Sequence, residues 1–589
     1  MDLLGLVEQA ADGDVLQLEG VYSLAEPLVL TRAVSLVGQA ATIVSESPDV
    51  VVRLVGPGPF SFHDIRFEYR GQEPARVVWL ESGRADFERC RFSGGHWNDE
   101  RGYGCGLHLG GQSQARVRQC QFFENDVGVL VDHQARPLLE GCRFTDNRLD
   151  GLRFRGYSGG RAVQNECRGN GWSGISVAGE ATPELVSNFC SENGSSGILY
   201  RERGSGIGSS NECSHNAHHG ISLSEYCRPL LKANQCEENQ LCGIDLGDQS
   251  RGVLQSNLCC GNGVHGMQVR DEADPVLEDN ECMENASSGL AIFGASRAVC
   301  RRNVLTQNAC YGLQVSQDAS PVLVENHAVG NRLSGFGFFG QAGGLGAANE
   351  CSENHGYGVQ LSGTAAPILG DQLCTQNQRG GLLAAEESRP LVRGGQFSKN
   401  EKHGLVVNDR SRPLLHGAKA ASNAEDGVVF VGRAGGEALA VEASENGRHG
   451  MSIGPKTSPL LEGCNCNQNQ AADTSNQSGK ARTASRGGEH EPLPEGFEVA
   501  IESGESLRLP FEPKGVEKLI LEALLKHGRL SEASLAKVAR TRRIGGAMEN
   551  LLERLNQAGL RYIRRDGEGP EGNVYALSRD TNQSGRQAC

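Results

Sequence analysis

The hydrophobic and polar positions of this chain recur with a fixed period over most of its length. The element N-x-x-x-G, followed by an apolar residue, occurs at Asn170/Gly174 and again at Asn193/Gly197. After each Gly, apolar and variable residues alternate, which is the pattern of a short, half-buried strand. The marker glycines follow one another in steps of 23 residues without insertion or deletion: Gly128, Gly151, Gly174, Gly197, Gly220, Gly243, Gly266, Gly289, Gly312, Gly335, Gly358, Gly381, Gly404, Gly427 and Gly450.

Each repeat holds two further short strands. One carries an apolar pair such as Leu185-Val186, and the next carries a Cys such as Cys190. No helical period occurs within the repeat, so the pattern predicts a parallel β-helix in which 23 residues form one coil. At roughly 4.8 Å per coil, some twenty coils would form a rod on the order of 95 Å long.

The recurring Asn, Gly and Cys residues are interpreted as architecture. Sharp turns between strands favour left-handed residues, which Gly and Asn tolerate best, and stacked Asn side chains can form a hydrogen-bonded ladder. The Cys column predicts core packing rather than a metal site, because plain hydrophobic residues replace Cys in phase at Leu305, Ala328, Phe397, Ala420 and Ala443.

Composition adds constraints on compartment and ligands. The chain has 79 Gly and 20 Cys, and its net charge of -15 disfavours non-specific binding of polyanions by the whole molecule. The cysteines lack zinc-site spacing, and neither a signal peptide nor a long apolar segment is recognisable. We therefore expect a reduced, cytoplasmic protein with no membrane segment, no metal and no cofactor.

Five segments follow from these patterns. We expect an N-terminal cap with the first coils at 1–50, the β-helix at 51–470 and a flexible linker at 471–510. Residues 511–580 carry three segments of helical period and two strands around a Gly-rich turn, and 581–589 form a disordered tail.

The C-terminal segment resembles a winged-helix domain, so the whole chain is predicted as an all-β solenoid followed by a small α+β domain. From Lys514 to Asp580 there are 13 Lys and Arg against 9 Asp and Glu. A winged helix can bind DNA through phosphates or can dock a protein, and both roles stay open here. The candidate DNA-binding residues are Arg540, Arg542, Arg543, Arg561, Arg564 and Arg565.

The repeats themselves resemble the right-handed parallel β-helix superfamily. Segments such as "ADPVLEDNECMENASSGLAIFG" are similar to the short-coil repeats of carbohydrate-binding and sugar-hydrolysing domains, and to the β-helix of F-box substrate receptors. The resemblance covers about residues 12 to 470 and implies the fold more than the function. In carbohydrate-active members, acidic and basic residues of neighbouring coils cluster on one outer strand face.

The matching outward position, two residues after each marker Gly, holds few charges. Arg153 and Asp245 occur there four coils apart, about 19 Å. Because this position supplies no carboxylate pair, we expect a protein that is not an enzyme. The turn "HNAHHG" with His215, His218 and His219 is interpreted as a polar turn rather than a metal site.

A 30-residue spacing between Cys90 and Cys120 places extra residues on a predicted protruding loop. An aromatic residue among charges on a loop suggests a contact with a partner, although a loop that closes the cap is an equal alternative. The candidate partner-binding residues are His96, Trp97, Asp99, Glu100 and Arg101.

Two functions compete at this stage. The first is a non-catalytic interaction or scaffold protein, in which the β-helix face binds a protein partner and the C-terminal domain docks protein or DNA. The alternative is a polysaccharide-active lyase, hydrolase or epimerase, or a carbohydrate-binding β-helix protein. The sequence favours the first, because a reduced cytoplasmic protein seldom meets polymeric glycans.

Overall fold

The computed structural model describes residues 3–97 and 104–478 in full, and beyond them only the backbone of six short strands. The chain divides into two compact units, Met1–Ala484 and Ser485–Cys589. The first unit begins with helix Leu3–Gln9, whose Leu3 is buried. Long parallel strands follow at Val15–Leu24, Ser35–Ser45 and Phe60–Tyr69. No helix within the described part of the chain is long and apolar enough to cross a membrane.

The repeats form a parallel β-solenoid, as the 23-residue period predicts. A typical coil has strands Glu184–Val186, Phe189–Ser191 and Ile198–Tyr200, and each pairs in parallel with its counterpart one coil away. We call the sheet that receives the first two strands sheet 1 and the sheet that receives the third strand sheet 2. The two sheet 1 strands recur from Arg84–Glu88 and Arg91–Ser93 to Leu460–Glu462 and Asn465–Asn467, with an isolated bridge at Lys419 in place of one of them.

Sheet 2 contains twenty strands, one for each coil. Each strand follows a marker Gly or its equivalent, so the sequence period fixes the register of the whole sheet. Its strands are Leu28–Leu30, Asp49–Leu54, Ala75–Leu80, Cys105–Leu109, Val129–Val131, Leu152–Phe154, Ile175–Val177, Ile198–Tyr200, Ile221–Leu223, Ile244–Leu246, Met267–Val269, Leu290–Ile292, Leu313–Val315, Phe336–Phe338, Tyr357–Leu361, Gly380–Ala384, His403–Val407, Val428–Phe430, Met451–Ile453 and Thr474–Asn476.

The core lies inside the coils and contains the Cys column. Leu185 and Cys190 point inward from sheet 1, and Ile198 and Tyr200 point inward from sheet 2; all four are fully buried. Burial raises the pKa of the Cys213 thiol well above its ordinary value. The expected packing role of the Cys column is therefore consistent with its surroundings.

The Asn column forms the predicted ladder. Asn170 donates from Nδ2 to Asn193 Oδ1 at 3.0 Å and to the Phe144 carbonyl at 3.0 Å. The same contacts recur along the coils to Asn469. A second ladder, from Asn165 to Asn349, occupies the corner between the two sheet 1 strands and was not foreseen.

The expected left-handed conformation of the marker Gly and Asn is wrong. The left-handed residue is the one before each ladder Asn, such as Gly169 at φ 65° and Glu192 at φ 54°. Gly174 is needed for a close approach instead, since a Cβ there would lie 2.8 Å from the Gly197 carbonyl oxygen and 3.0 Å from Asn193 Nδ2. The left-handed position before a ladder Asn accepts a charged residue such as Glu192, because the side chain there is exposed to solvent.

The C-terminal unit has strands on either side of the predicted turn. Ile563–Gly569 pairs antiparallel with Gly572–Leu577, which also pairs with Arg529–Ser531. Phe497–Ala500 and Ser506–Leu509 form a second antiparallel pair. Within the first unit, Arg482–Thr483 pairs in parallel with Leu460–Glu462. The expected helices and tail lie outside the described residues, so the winged-helix domain stays a prediction. Of the expected linker, the structure describes 471–478 and the backbone of three short strands, Arg482–Thr483, Phe497–Ala500 and Ser506–Leu509.

Candidate binding groove on sheet 2

On the outer face of sheet 2, residues of the adjoining turns flank the outward residue of each strand, and we call this surface the sheet 2 groove. Its floor is the outward residue of each strand, two positions after the marker Gly, and we call the residue before the marker Gly the near wall and the residue four after it the far wall. Although Arg153, Ser176 and Asp245 point outward, they are only 6%, 1% and 2% exposed. These three strands have only three residues each, so the turns at both ends lie close to the outward residue.

Near-wall side chains accept backbone hydrogen bonds from the next coil. His219 Nδ1 accepts the N–H of Cys242 at 3.3 Å, and His265 Nδ1 accepts the N–H of Ser288 at 3.2 Å. A neutral imidazole that accepts at Nδ1 carries its proton on Nε2. Both rings therefore offer an Nε2–H donor to the groove.

A compact polar cluster, the Asp245 cluster, surrounds the floor residue Asp245. Arg270 Nε and Nη2 contact its two carboxylate oxygens at 3.3 and 3.1 Å, and His219 Nε2 lies 4.0 Å from Oδ2. Burial lowers the pKa of His219 and lowers that of His265 to about 4, while it raises the pKa of the Cys242 thiol to about 12. At neutral pH the imidazoles are uncharged, the thiol keeps its proton and the carboxylate is paired.

Three floor glutamines at two-coil spacing follow this cluster. Cys242 Sγ lies 3.3 Å from Gln268 Oε1, Ser288 Oγ lies 3.2 Å from Gln314 Oε1, and Ser334 Oγ lies 3.0 Å from Gln360 Oε1. A near-wall side chain thus holds each carboxamide oxygen, which leaves the Nε2 hydrogens directed into the groove.

Aromatic pairs lie between the glutamines. Tyr311 and Phe339 have ring centroids 5.2 Å apart at 58°, and His265 and Phe293 are 5.7 Å apart at the same angle. The first pair lies over floor residue Gly337, where a Cβ would be 2.5 Å from Phe339 Cε2 and 3.0 Å from Tyr311 Cδ1. Aromatic surfaces thus alternate with amide donors. We call Gln268, Phe293, Gln314, Phe339 and Gln360, with their near-wall partners, the amide–aromatic track.

A second polar group, the His108 cluster, lies near the N-terminal end of the groove. The His108 ring stacks on Trp79 at 6.1 Å, and the Arg76 guanidinium lies 3.8 Å from the Trp79 ring. Neither His108 nitrogen makes a hydrogen bond with a described residue, and the nearest carboxylate, that of Asp132, is 4.0 Å from Nε2 and bound by Arg155. Burial, reinforced by Arg76, lowers the pKa of His108 to about 3.

The expected partner loop lies partly against this groove. Trp97 donates its N–H to Asp126 Oδ2 at 2.6 Å, and the Arg153 guanidinium lies 4.8 Å from its ring. His96 pairs with Ala75 in an isolated bridge. Asp99, Glu100, Arg101, Arg540, Arg542, Arg543 and Arg561 fall outside the described residues. Arg564 and Arg565 lie in the strand Ile563–Gly569, of which only the backbone is described.

The other sequence candidates are separated by the structure. Arg153 pairs with Asp150 at 2.7 Å and lies four strands from Asp245. Only His219 of the His turn enters the groove; His215 pairs with Glu238 at 2.8 Å on the surface, and His218 is exposed. Among the described residues no group of His, Cys, Asp and Glu side chains could hold a metal ion.

Sequence reasoning missed the walls of the groove because it followed only the floor position. The near-wall residues were visible in phase as His219, Cys242, His265, Ser288, Tyr311 and Ser334. Residues at the same position of successive coils stack in a solenoid whatever their type. The column of hydrogen-bonding and aromatic residues before each marker Gly could therefore have predicted the near wall.

Comparison with known proteins agrees with the fold. The family model described as the right handed beta helix region matches residues 76–207, 173–333, 322–440 and 348–485, together more than half of the chain. No curated protein sequence gives a significant match.

Several solved structures resemble the fold at low identity. The periplasmic alginate epimerase AlgG matches with TM-score 0.28 and 14% identity, covering 62% of this chain and 81% of its own. The A-module of Azotobacter vinelandii mannuronan C-5 epimerase AlgE4 gives 0.22 and 15%, with 63% and 89% covered. The N-terminal fragment of bacteriophage Phi29 gene product 12 gives 0.34 and 10%, with 82% and 92% covered.

Proposed function

The chain belongs to the right-handed β-helix family, and we propose that its sheet 2 groove binds an extended polysaccharide. The amide–aromatic track is the observation that carries this proposal. Gln314 and Gln360 alternate there with the Tyr311/Phe339 ring pair on a floor that repeats with the coils. A repeating ligand suits a repeating site, because each added unit can make the same contacts again.

The chemistry of the track suits a sugar chain. A pyranose ring has apolar C–H faces and a rim of hydroxyl groups, so it packs on aromatic side chains and accepts hydrogen bonds from amides. Phe293 and Phe339 are partly exposed. Apolar surface with a few oriented polar groups is the usual composition of a ligand site.

Catalysis at the Asp245 cluster is a second candidate function. His219 and Arg270 converge on the Asp245 carboxylate, an arrangement that the expectation of a non-enzyme did not include. Hydrolysis by two carboxylates is not favoured, since Asp245 is the one carboxylate on the floor between residues 129 and 453. A single base beside a cation suits proton abstraction from a sugar carbon instead.

The groove favours the carbohydrate alternative over the scaffold function that the sequence suggested. Neither the described residues nor the comparisons supply support for a non-catalytic scaffold. A protein partner, DNA binding by the C-terminal unit and a cytoplasmic location stay predictions.

Affinity electrophoresis of the full chain through gels that contain neutral, acidic or sulfated polysaccharides tests the binding proposal. We expect at least one glycan to retard the wild type, and Phe339→Ala to lose the retardation. Tyr226→Ala is the matched control, because Tyr226 is an aromatic side chain, 53% exposed, outside the groove. Unretarded migration in every gel, or equal retardation of both variants, would contradict binding at the groove.

Lyase and epimerase assays on the same polymers test the catalytic candidate. Turnover that Asp245→Asn abolishes, while glycan binding persists, would support chemistry at the Asp245 cluster. If the wild type binds a glycan and leaves it unchanged, the catalytic candidate fails and the binding proposal stands.

A further inference from the structure

The amide–aromatic track carries no charge over four consecutive coils. From the coil of Ser288 to the coil of Tyr357, the near wall, floor and far wall contain Ser, Tyr, Ala, Gln, Gly and Phe only. Burial raises the pKa of Tyr311 and Tyr357, so both phenols keep their protons at neutral pH. A charged ligand on these coils would meet no opposite charge from the three columns.

The oriented carboxamides of the track present donors to a ligand. Ser334 Oγ accepts the N–H of Tyr357 at 3.0 Å, so its own proton is directed to Gln360 Oε1. That contact fixes the orientation of the carboxamide and leaves Nε2 for a ligand. The Ser288 and Gln314 pair repeats the contact two coils earlier.

Within the three columns, the cation nearest to these coils is already neutralised. Arg379, whose charge acts on the Tyr357 phenol, lies outside the three columns. Arg270 contacts both Asp245 and Asp271, the latter at 2.6 Å. Two carboxylates and one guanidinium leave this end of the track with negative charge, in a protein whose net charge is -15. A polyanion would lose hydration there without gaining an ion pair.

We propose that the track binds an uncharged linear glycan and contacts it in steps of two coils. This inference rests on the proposed function and names its ligand class. The glutamines are 46 residues apart along the chain, which is two coils and about 9.6 Å at the strand spacing of a sheet. Each step combines one amide donor for a sugar oxygen with one aromatic pair for a sugar face.

Titration calorimetry with oligosaccharides of defined length tests the inference on the full chain. The ligands are neutral β-glucan oligosaccharides, oligouronates and sulfated oligosaccharides, each at low and high salt. We expect the neutral series to bind, with an affinity that rises with chain length until the track is filled and that changes less than about twofold with salt.

Substitutions of the floor residue Gln314 test whether the neutral glycan binds at the track. Gln314→Ala removes one amide donor and should weaken the neutral glycan by about tenfold, and Gln314→Glu, nearly identical in shape, should weaken it at least as much. Gln396→Ala on the exposed face of sheet 1 is the control and should bind like the wild type. Retained folding is checked by the thermal unfolding temperature.

The outcomes separate the inference from the proposed function. Salt-sensitive binding of the acidic or sulfated series alone would overturn the uncharged ligand and leave polysaccharide binding in place. Neutral binding that Gln314→Ala and Gln314→Glu leave unchanged would overturn the assignment to the track. Failure of all three series to bind would overturn both proposals.

Discussion

Ser334 holds the carboxamide of Gln360 from one coil below, with its Oγ 3.0 Å from Oε1. Ser334→Ala should therefore release the Gln360 side chain and remove the acceptor of the Tyr357 N–H. We expect a loss of stability of about 1–2 kcal/mol in urea unfolding and a weaker glycan affinity. Ser320→Ala is the control, because Ser320 is exposed and lies outside the groove. An unchanged affinity in Ser334→Ala would show that Gln360 needs no fixed orientation.

The Asn ladder should dominate the stability of the central coils. The Asn216 side chain makes four hydrogen bonds: it donates to Asn239 Oδ1 and the Cys190 carbonyl, and it accepts from the Asn193 N–H and Nδ2. Asn216→Ala leaves buried partners unpaired, and we expect a cost of about 4 kcal/mol in urea unfolding. Gln235→Ala on the exposed face should stay within about 0.5 kcal/mol, and similar values for both variants would contradict the ladder.

Two glycines should respond differently to the same substitution. At Gly174 a Cβ would meet the Gly197 carbonyl at 2.8 Å, so Gly174→Ala should destabilise the fold by about 3 kcal/mol. At Gly337 the closest atoms belong to the Phe339 ring, which can rotate away. Gly337→Ala should cost less than about 1 kcal/mol and reduce glycan affinity. Chemical unfolding measures the loss of stability, and calorimetry measures the glycan affinity. A larger loss of stability in Gly337→Ala than in Gly174→Ala would contradict the contacts described at the two glycines. An unchanged glycan affinity in Gly337→Ala would contradict the assignment of the track.

The sequence could predict part of the fold and of the groove. The coil, its register and the Asn147–Asn469 ladder follow from one 23-residue period, because identical positions must stack in a solenoid. The second ladder, from Asn165 to Asn349, has the same 23-residue step and was visible in the sequence, but only the column before the marker Gly was followed. The left-handed residues before each Asn depend on the local path of the chain at the corners, which periodicity does not determine. The groove walls depend on which side chains of three adjacent columns meet. They were missed because only the floor column was examined in the sequence.

Stability should fall with acid because buried histidines resist protonation. The His265 pKa is lowered to about 4 in the folded chain against about 6.5 unfolded, so the unfolded state binds more protons between these values. The stability contributed by neutral His265 is complete above about pH 6.5 and is lost as pH falls toward 4, by up to about 3 kcal/mol.

Urea unfolding at pH 7, 6, 5 and 4.5 measures this dependence. His265→Asn can still accept the Ser288 N–H and does not titrate, so we expect a shallower loss of stability for the variant than for the wild type. His215→Asn at the exposed turn is the control and should follow the wild type. Parallel curves for all three proteins would contradict the buried neutral imidazole.

Hydroxyl-radical footprinting of the full chain, with and without a bound polysaccharide, tests the central claim most directly. Because the glycan covers the groove, we predict protection of Phe293, Tyr311 and Phe339, with Tyr226 and Tyr157 oxidised equally in both samples; Tyr157 is 61% exposed and, like Tyr226, lies outside the track. Protection of Tyr226 or Tyr157 with unchanged oxidation of Tyr311 and Phe339 would contradict polysaccharide binding at the sheet 2 groove.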